Sequence, residues 1–233
     1  MNQSIFAYAR QQRDLGFSTF YIEDTPAPSV FPPMTGLQPG SYAALEAIRA
    51  QYAACAACGL AQTRGSLVFG QGDPNARLMF VGEAPGADED RQGAPFVGEA
   101  GKLLTKMIED GMHLKRSAVY IANILKCRPP NNRDPLPEEI RQCVAILREQ
   151  MKIIEPEFVC CLGRIAGRTI LGLDEKATLV SMRGRVHAAG PFKVVVTYHP
   201  SALLRHAEWK HEAWNDLKML MREMGLPLTR TVT

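Results

Sequence analysis

The sequence predicts an α/β fold in three layers, α/β/α, around a central and mainly parallel four-stranded sheet. Three observations carry this. Four apolar runs stand at wide spacing: Leu78–Val81, Val119–Ile124, Phe158–Leu162 and Val194–Tyr198. Helical periodicity fills the gaps between them, the alternation that builds parallel sheets with helices on both faces. Three of the runs end in polar, loop-forming chemistry, at Glu83, Asn123 and His199. Ligands bind beyond the carboxyl ends of strands in such sheets.

The elements follow in order. The 233 residues suffice for one α/β domain with additional segments. Residues 1–40 stand apart as an expected tail and linker. Ser4–Gln12 could form a short helix, and Pro26, Pro28, Pro32, Pro33 and Pro39 with Gly36 and Gly40 follow it. That composition favours extended chain over regular structure. The domain is expected over residues 41–233, opening with a helix from Tyr42 to Tyr52. After the first apolar run comes a loop containing Gly82, Gly86, Gly93 and Gly98, stiffened by Pro85 and Pro95. Glycine lets backbone approach a ligand closely, and proline restricts the path. A helix from about Gly101 to Met112 places Leu103, Leu104, Met107 and Ile108 on one face. Pro137–Ile154 repeats the pattern with Ile140, Val144, Leu147, Met151 and Ile154. A short helix is expected after Gly163-Arg164, and a last one from about Glu208 to Met224.

Composition excludes several classes. No apolar stretch approaches the length that spans a bilayer, so no membrane association is expected. The N-terminal stretch carries Arg10, Arg13 and Asp14 and has no apolar signal region, which points to a cytoplasmic protein. The net charge of +3 gives no global basic field. Basic residues gather locally instead: Lys126, Arg128 and Arg133 around Cys127, and Arg183 and Arg185 around Gly184. Beside a cleft, such residues would favour a phosphate backbone.

Six cysteines divide into two groups. Cys160 and Cys161 are consecutive in an expected buried strand, so they point to opposite faces and read as small core residues. Cys55 and Cys58 form C-x-x-C, Cys127 follows the second strand, and Cys143 lies on the next helix. These four make a plausible four-thiolate centre. Spacing accommodates either a structural zinc or an iron–sulfur cluster, and the wide second pair tilts the choice toward a cluster.

The glycine-rich loop can hold a carboxylate, Glu83, and an aromatic ring, Phe96, in one pocket. His199 stands at a strand end, next to Pro200, which suits the first turn of a helix. Asn123 ends its own strand with an amide that both donates and accepts, the chemistry needed to read a base edge.

These motifs together resemble the family-four uracil-DNA glycosylases. Gly82-Glu83-Ala84-Pro85-Gly86, Glu89-Asp90 and Gly93-Ala94-Pro95-Phe96-Val97-Gly98 are similar to that family's first block. Asn123-Ile124-Leu125-Lys126-Cys127-Arg128-Pro129-Pro130 with Asn132-Arg133 resembles its second. Tyr198-His199-Pro200-Ser201 and Ala202-Leu203-Leu204-Arg205 resemble its last. The cysteine spacing is similar to the family's four ligands to a 4Fe–4S cluster, and the likeness covers about residues 42–225. It implies hydrolysis of the N-glycosidic bond of deoxyuridine in single- or double-stranded DNA. Phe96 would stack on the flipped base, Asn123 would read its O4 and N3–H edge, and His199 would donate to O2. Glu83 would orient or activate water, or stabilise the cationic sugar. Main chain around Gly82, Ala84 and Gly86 would help bind the base, with Ser201 beside His199. Glu89 belongs to the motif without an assigned role. Leu203 and Leu204 would fill the vacated stack, while Arg128, Arg133 and Arg205 would meet the DNA.

Alternatives are a uracil-DNA binding or covalent-trapping protein without turnover, and an electron-transfer protein. Trapping relatives carry a basic, histidine-containing insertion after the second block, and this chain has no histidine between Asn123 and Cys143. Electron transfer leaves the four site residues without a role. Finally, Gln12-Arg13-Asp14-Leu15-Gly16-Phe17 resembles peptides that bind bacterial sliding clamps. A monomer is expected.

Overall fold

A computed structural model describes residues 42–228. The tail and its clamp-like peptide lie outside the described residues. Helix α1 (Tyr42–Tyr52) comes first. The short strand β1 (Gln71–Gly72) and the buried β2 (Leu78–Gly82) follow. Next come α2 (Ala87–Gln92), α3 (Glu99–Lys106) and β3 (Tyr120–Asn123). The long α4 (Pro137–Ile154) leads to β4 (Phe158–Leu162), α5 (Arg164–Leu171) and α6 (Leu179–Met182). The hairpin β5 (Val186–Ala189) and β6 (Phe192–Thr197) precedes α7 (Pro200–Arg205) and α8 (Lys210–Met224).

The sheet has six strands in the order β1-β3-β2-β4-β6-β5. The four apolar runs become its inner strands, all mutually parallel. The edges β1 and β5 pair antiparallel, and they extend the four-stranded expectation. Both are short and neither is fully buried, so neither leaves an apolar run in the sequence.

Alternation along the inner strands divides the core. Met79, Val81, Val159, Cys161, Val194 and Val196 face one layer, with Leu45 of α1, Leu147 and Met151 of α4 and Ile170 of α5. Leu78, Phe80, Phe158, Cys160, Leu162 and Val195 face the other, with Leu104 of α3 and Leu217, Leu220 and Met221 of α8. Cys160 and Cys161 therefore bury on opposite faces, as their adjacency requires. The expected Gly101–Met112 helix begins two residues earlier, at Glu99, and ends in a π-helical turn over Met107–Gly111. No helix among the described residues is long and apolar enough to cross a membrane.

Candidate active site

The register Gly82↔Asn123 and Leu162↔Thr197 brings the carboxyl ends of the parallel strands level. Beyond them opens a cleft of about 560 Å³, lined by Glu83, Phe96, Asn123, Gly163, Tyr198 and His199, with Arg133, Arg164 and Arg205 also on its wall. The three separated motifs thus converge on one cavity of the size that accepts a small ligand.

Asn123 is almost fully buried, and its Oδ1 has no hydrogen-bond partner among the described residues. A buried acceptor without a donor is costly, and it is a reason to look for a ligand. Gly82 makes room for it. A Cβ at Gly82 would stand 2.3 Å from Asn123 Oδ1 and 2.7 Å from Phe96 Cζ. Phe96 itself has φ +52, in the left-handed region that non-glycine residues avoid. Its ring centroid lies 5.5 Å from that of His199.

His199 caps α7. Its Nδ1 accepts the Ser201 N–H at 3.2 Å and lies 2.8 Å from Ser201 Oγ. An Nδ1 that accepts a backbone N–H carries no proton, so the neutral ring carries its proton on Nε2. Burial, with Arg205 nearby, pushes the imidazole pKa down to about 4, and Glu89 opposes only weakly. The ring is therefore neutral and a donor at ordinary pH. Glu83 moves the other way. Burial first, and Asp134 second, push its pKa up to about 7, against the pull of Arg164 and Arg168.

The motif residue without an assigned role gains one. Glu89 is buried, and its carboxylate accepts the backbone N–H groups of Gly86 at 3.1 Å, Val97 at 2.9 Å and Gly98 at 3.0 Å. It ties the two glycine-rich segments together. Gly86, expected to help bind the base, lines the cleft while its N–H is engaged by Glu89.

Two further expectations are corrected. Leu203 is buried against Tyr198 and Ala213, because it lies on the inner face of α7. Leu204 is 49% exposed and alone of the pair faces outward. Arg183 is no surface cation: it stacks 4.1 Å over Tyr198 and bonds Asp216 at 2.8 Å and Glu212 at 2.5 Å. Arg133 lines the cleft while bonding Glu139 through both terminal nitrogens, at 2.9 and 2.6 Å. Arg128 bonds Asn132 Oδ1 at 2.8 Å, beside the cleft. Arg205 lines the cleft and is exposed.

Cys55, Cys58, Cys127 and Cys143 line a second, smaller hollow with Arg64 and Lys126. None of the four is in a disulfide. Among the described residues, no three His, Cys, Asp or Glu side chains converge as a single metal ion needs. The sulfurs are supplied with donors: Arg64 Nη1 lies 3.3 Å from Cys127 Sγ and the Lys126 N–H lies 3.1 Å from Cys143 Sγ. Burial first, with Cys127 and Cys58 adding to it, pushes the Cys143 thiol up to about 11, while Lys126 opposes. Donors aimed at two sulfurs, one of them cationic, fit thiolates bound to a metal centre. Lys126 is wholly buried. Its Nζ bonds the Asn123 carbonyl at 2.9 Å and Gln150 Oε1 at 2.6 Å, so it is not available to DNA.

The family model for the uracil DNA glycosylase superfamily matches residues 69–218. The chain is a member of the uracil-DNA glycosylase superfamily. It is 43% identical to a type-4 uracil-DNA glycosylase of Archaeoglobus fulgidus, covering 76% of this chain and 91% of that protein. Type-4 enzymes of Sulfurisphaera tokodaii and Thermotoga maritima are 40% and 39% identical, covering 78% and 77% of this chain and 85% and 90% of theirs. The superfamily match spans every cleft residue named above and two of the four cysteines, Cys127 and Cys143. Two features of this superfamily member had no signal in the sequence. One is the carboxylate of Asp134 close enough to raise Glu83; the other is Arg164, which bonds Asp134 at 3.3 Å across the rim. Both are surface charges until the fold places them beside the cleft.

Proposed function

We propose that the protein is a DNA repair glycosylase that hydrolyses the N-glycosidic bond of deoxyuridine in DNA, releasing uracil and leaving an abasic site. The orphaned Asn123 Oδ1 carries this reading. It is an acceptor waiting for an N–H on the ligand, which uracil supplies at N3 and neutral cytosine does not. The type-4 relatives, named for the same activity, support it.

In this reading each residue has a task. Extruding uracil from a duplex costs about a few kcal/mol. Stacking on Phe96 returns about 1–3 kcal/mol of that. The Asn123 amide donates to O4 and accepts from N3–H. As the C1′–N1 bond breaks, its electron pair leaves with the base and positive charge grows on the sugar. The neutral His199 donates its Nε2 proton as a hydrogen bond to O2, where the negative charge accumulates. Ionised Glu83 stabilises the cationic sugar and takes a proton from the water that adds at C1′. Leu204 fills the vacated stack, and Arg205 meets a phosphate.

Cys55, Cys58, Cys127 and Cys143 hold a 4Fe–4S cluster in this proposal. Such a cluster would pin the segment after α1 to the loop that follows Asn123. Broad absorbance near about 400 nm with iron and sulfide supports it; stoichiometric zinc in a colourless protein overturns it. The domain, residues 41–233, acts as a cytoplasmic monomer, and residues 12–17 tether it to a sliding clamp. Deleting residues 1–40 then leaves uracil release from short oligonucleotides near normal.

Turnover is the test. The protein is incubated with excess uracil-containing single-stranded DNA, followed by alkali. Many breaks per protein molecule support the proposal. One gel-shifted adduct per molecule would establish the covalent-trap reading instead.

A further inference from the structure

Phe96 bears the stacking ring on a backbone that a phenylalanine does not prefer, at φ +52. Something must hold it there, since such residues persist only where their surroundings over-determine them. Two features do so. Gly101 in α3 approaches so closely that an added Cβ would lie 1.9 Å from the Phe96 carbonyl oxygen. From another element, Arg116, just before β3, reaches the same carbonyl. Its Nη2 donates to Pro95 O at 2.9 Å and Phe96 O at 3.0 Å, and its Nη1 donates to Thr105 Oγ1 at 2.9 Å. Thr105 in turn bonds the Gly101 carbonyl at 3.0 Å. The guanidinium is partly buried and is not among the cleft-lining residues.

We infer that Arg116 is a positioning residue for the base: it latches Pro95-Phe96 to α3 and so presets the ring on which the flipped uracil stacks. A planar fork suits this task, because one nitrogen bridges two successive carbonyls while the other anchors to α3. No other type of side chain offers that set of donors. The inference rests on the proposed uracil chemistry, but the latch has its own signature. Without it the Phe96 carbonyl turns away, the ring loses its preset orientation, and binding must restore the order.

The test is a double-mutant cycle between Arg116→Met and Phe96→Ala in the full-length protein. Competition by free uracil and single-turnover cleavage are both measured, with affinity for uracil-free DNA alongside. Arg116→Met should weaken free-uracil binding and kcat/KM about tenfold, a share of what a stacked base contributes. Affinity for uracil-free DNA should stay within about twofold. In the Phe96→Ala background, the same substitution should change neither quantity by more than about twofold, since the coupled pair shares one function. Arg116→Lys keeps one donor nitrogen in place of the fork and should fall between, which preserves the test if Arg116→Met folds poorly. Independent, multiplying losses would overturn the latch, as would equal loss of affinity for uracil-free DNA or a fully active Arg116→Met. A wild-type protein that releases no uracil would instead overturn the proposed function.

Discussion

Replacing Glu83 by Gln isolates the group with the most consequential proton. Its carboxyl is raised from the ordinary 4.5 to about 7, chiefly by burial. At about 1.4 kcal/mol per tenfold change in proton affinity, that amounts to about 3 kcal/mol against the charged form. The side chain is only partly buried, and screening reduces this to about 2 kcal/mol. A raised acid favours the folded state below its unfolded value, and that contribution disappears as pH climbs through about 7. The ionised fraction is about one half at pH 7 and roughly 3% at about pH 5.5. Single-turnover cleavage of a uracil-containing single strand should therefore rise nearly tenfold per pH unit up to about 7 and then level. His199, lowered to about 4, stays neutral throughout and cannot produce that limb. Glu83→Gln should lower the plateau by about 10²-fold or more and remove the limb. The assay is quenched-flow cleavage from about pH 5.5 to about pH 8.5, with oligonucleotide affinity measured at each point. A flat wild-type profile, or an unchanged limb in Glu83→Gln, would rule out Glu83 as the group that titrates.

Asp134→Asn removes a charge that helps raise Glu83, so the rising limb should move to lower pH by a few tenths of a pH unit; no movement in the same profile counts against the assignment. Asn123→Asp retains acceptors but offers uracil O4 no donor. Cleavage of deoxyuridine should fall about 10²-fold or more and the preference over deoxycytidine should narrow, read from paired substrates. Gly82→Ala pushes a methyl toward Asn123 Oδ1 and the Phe96 ring, at 2.3 and 2.7 Å. Competition by free uracil should weaken at least about tenfold, while a thermal melt should show only the modest cost of overpacking.

Much of the fold was legible because the inner strands are buried on both faces. Leu78–Val81 and Phe158–Leu162 need continuous apolar runs, and such runs stand out. The edge strand β1 has two residues and neither is buried, so it writes no pattern. The site's main side chains were legible because parallel strands end together, which aligns Glu83, Asn123 and His199. Orientation within a helix was harder. Leu203 and Leu204 are consecutive and equally apolar, and only the packing of α7 decides which one is buried. Long-range polar contacts left no trace. Arg116 meets the Phe96 carbonyl across twenty residues, and Arg183 meets Asp216 across thirty-three. A surface-type residue looks the same in sequence whether it faces water or a buried carboxylate.

The unpaired Asn123 oxygen is the point on which the account turns, and a crystal structure of the protein soaked with free uracil tests it most directly. Uracil should stack on Phe96 in the cleft, its N3–H donating to Asn123 Oδ1 and its O2 accepting from His199 Nε2. Uracil bound elsewhere, or bound in the cleft with Asn123 Oδ1 still unpaired, would contradict it.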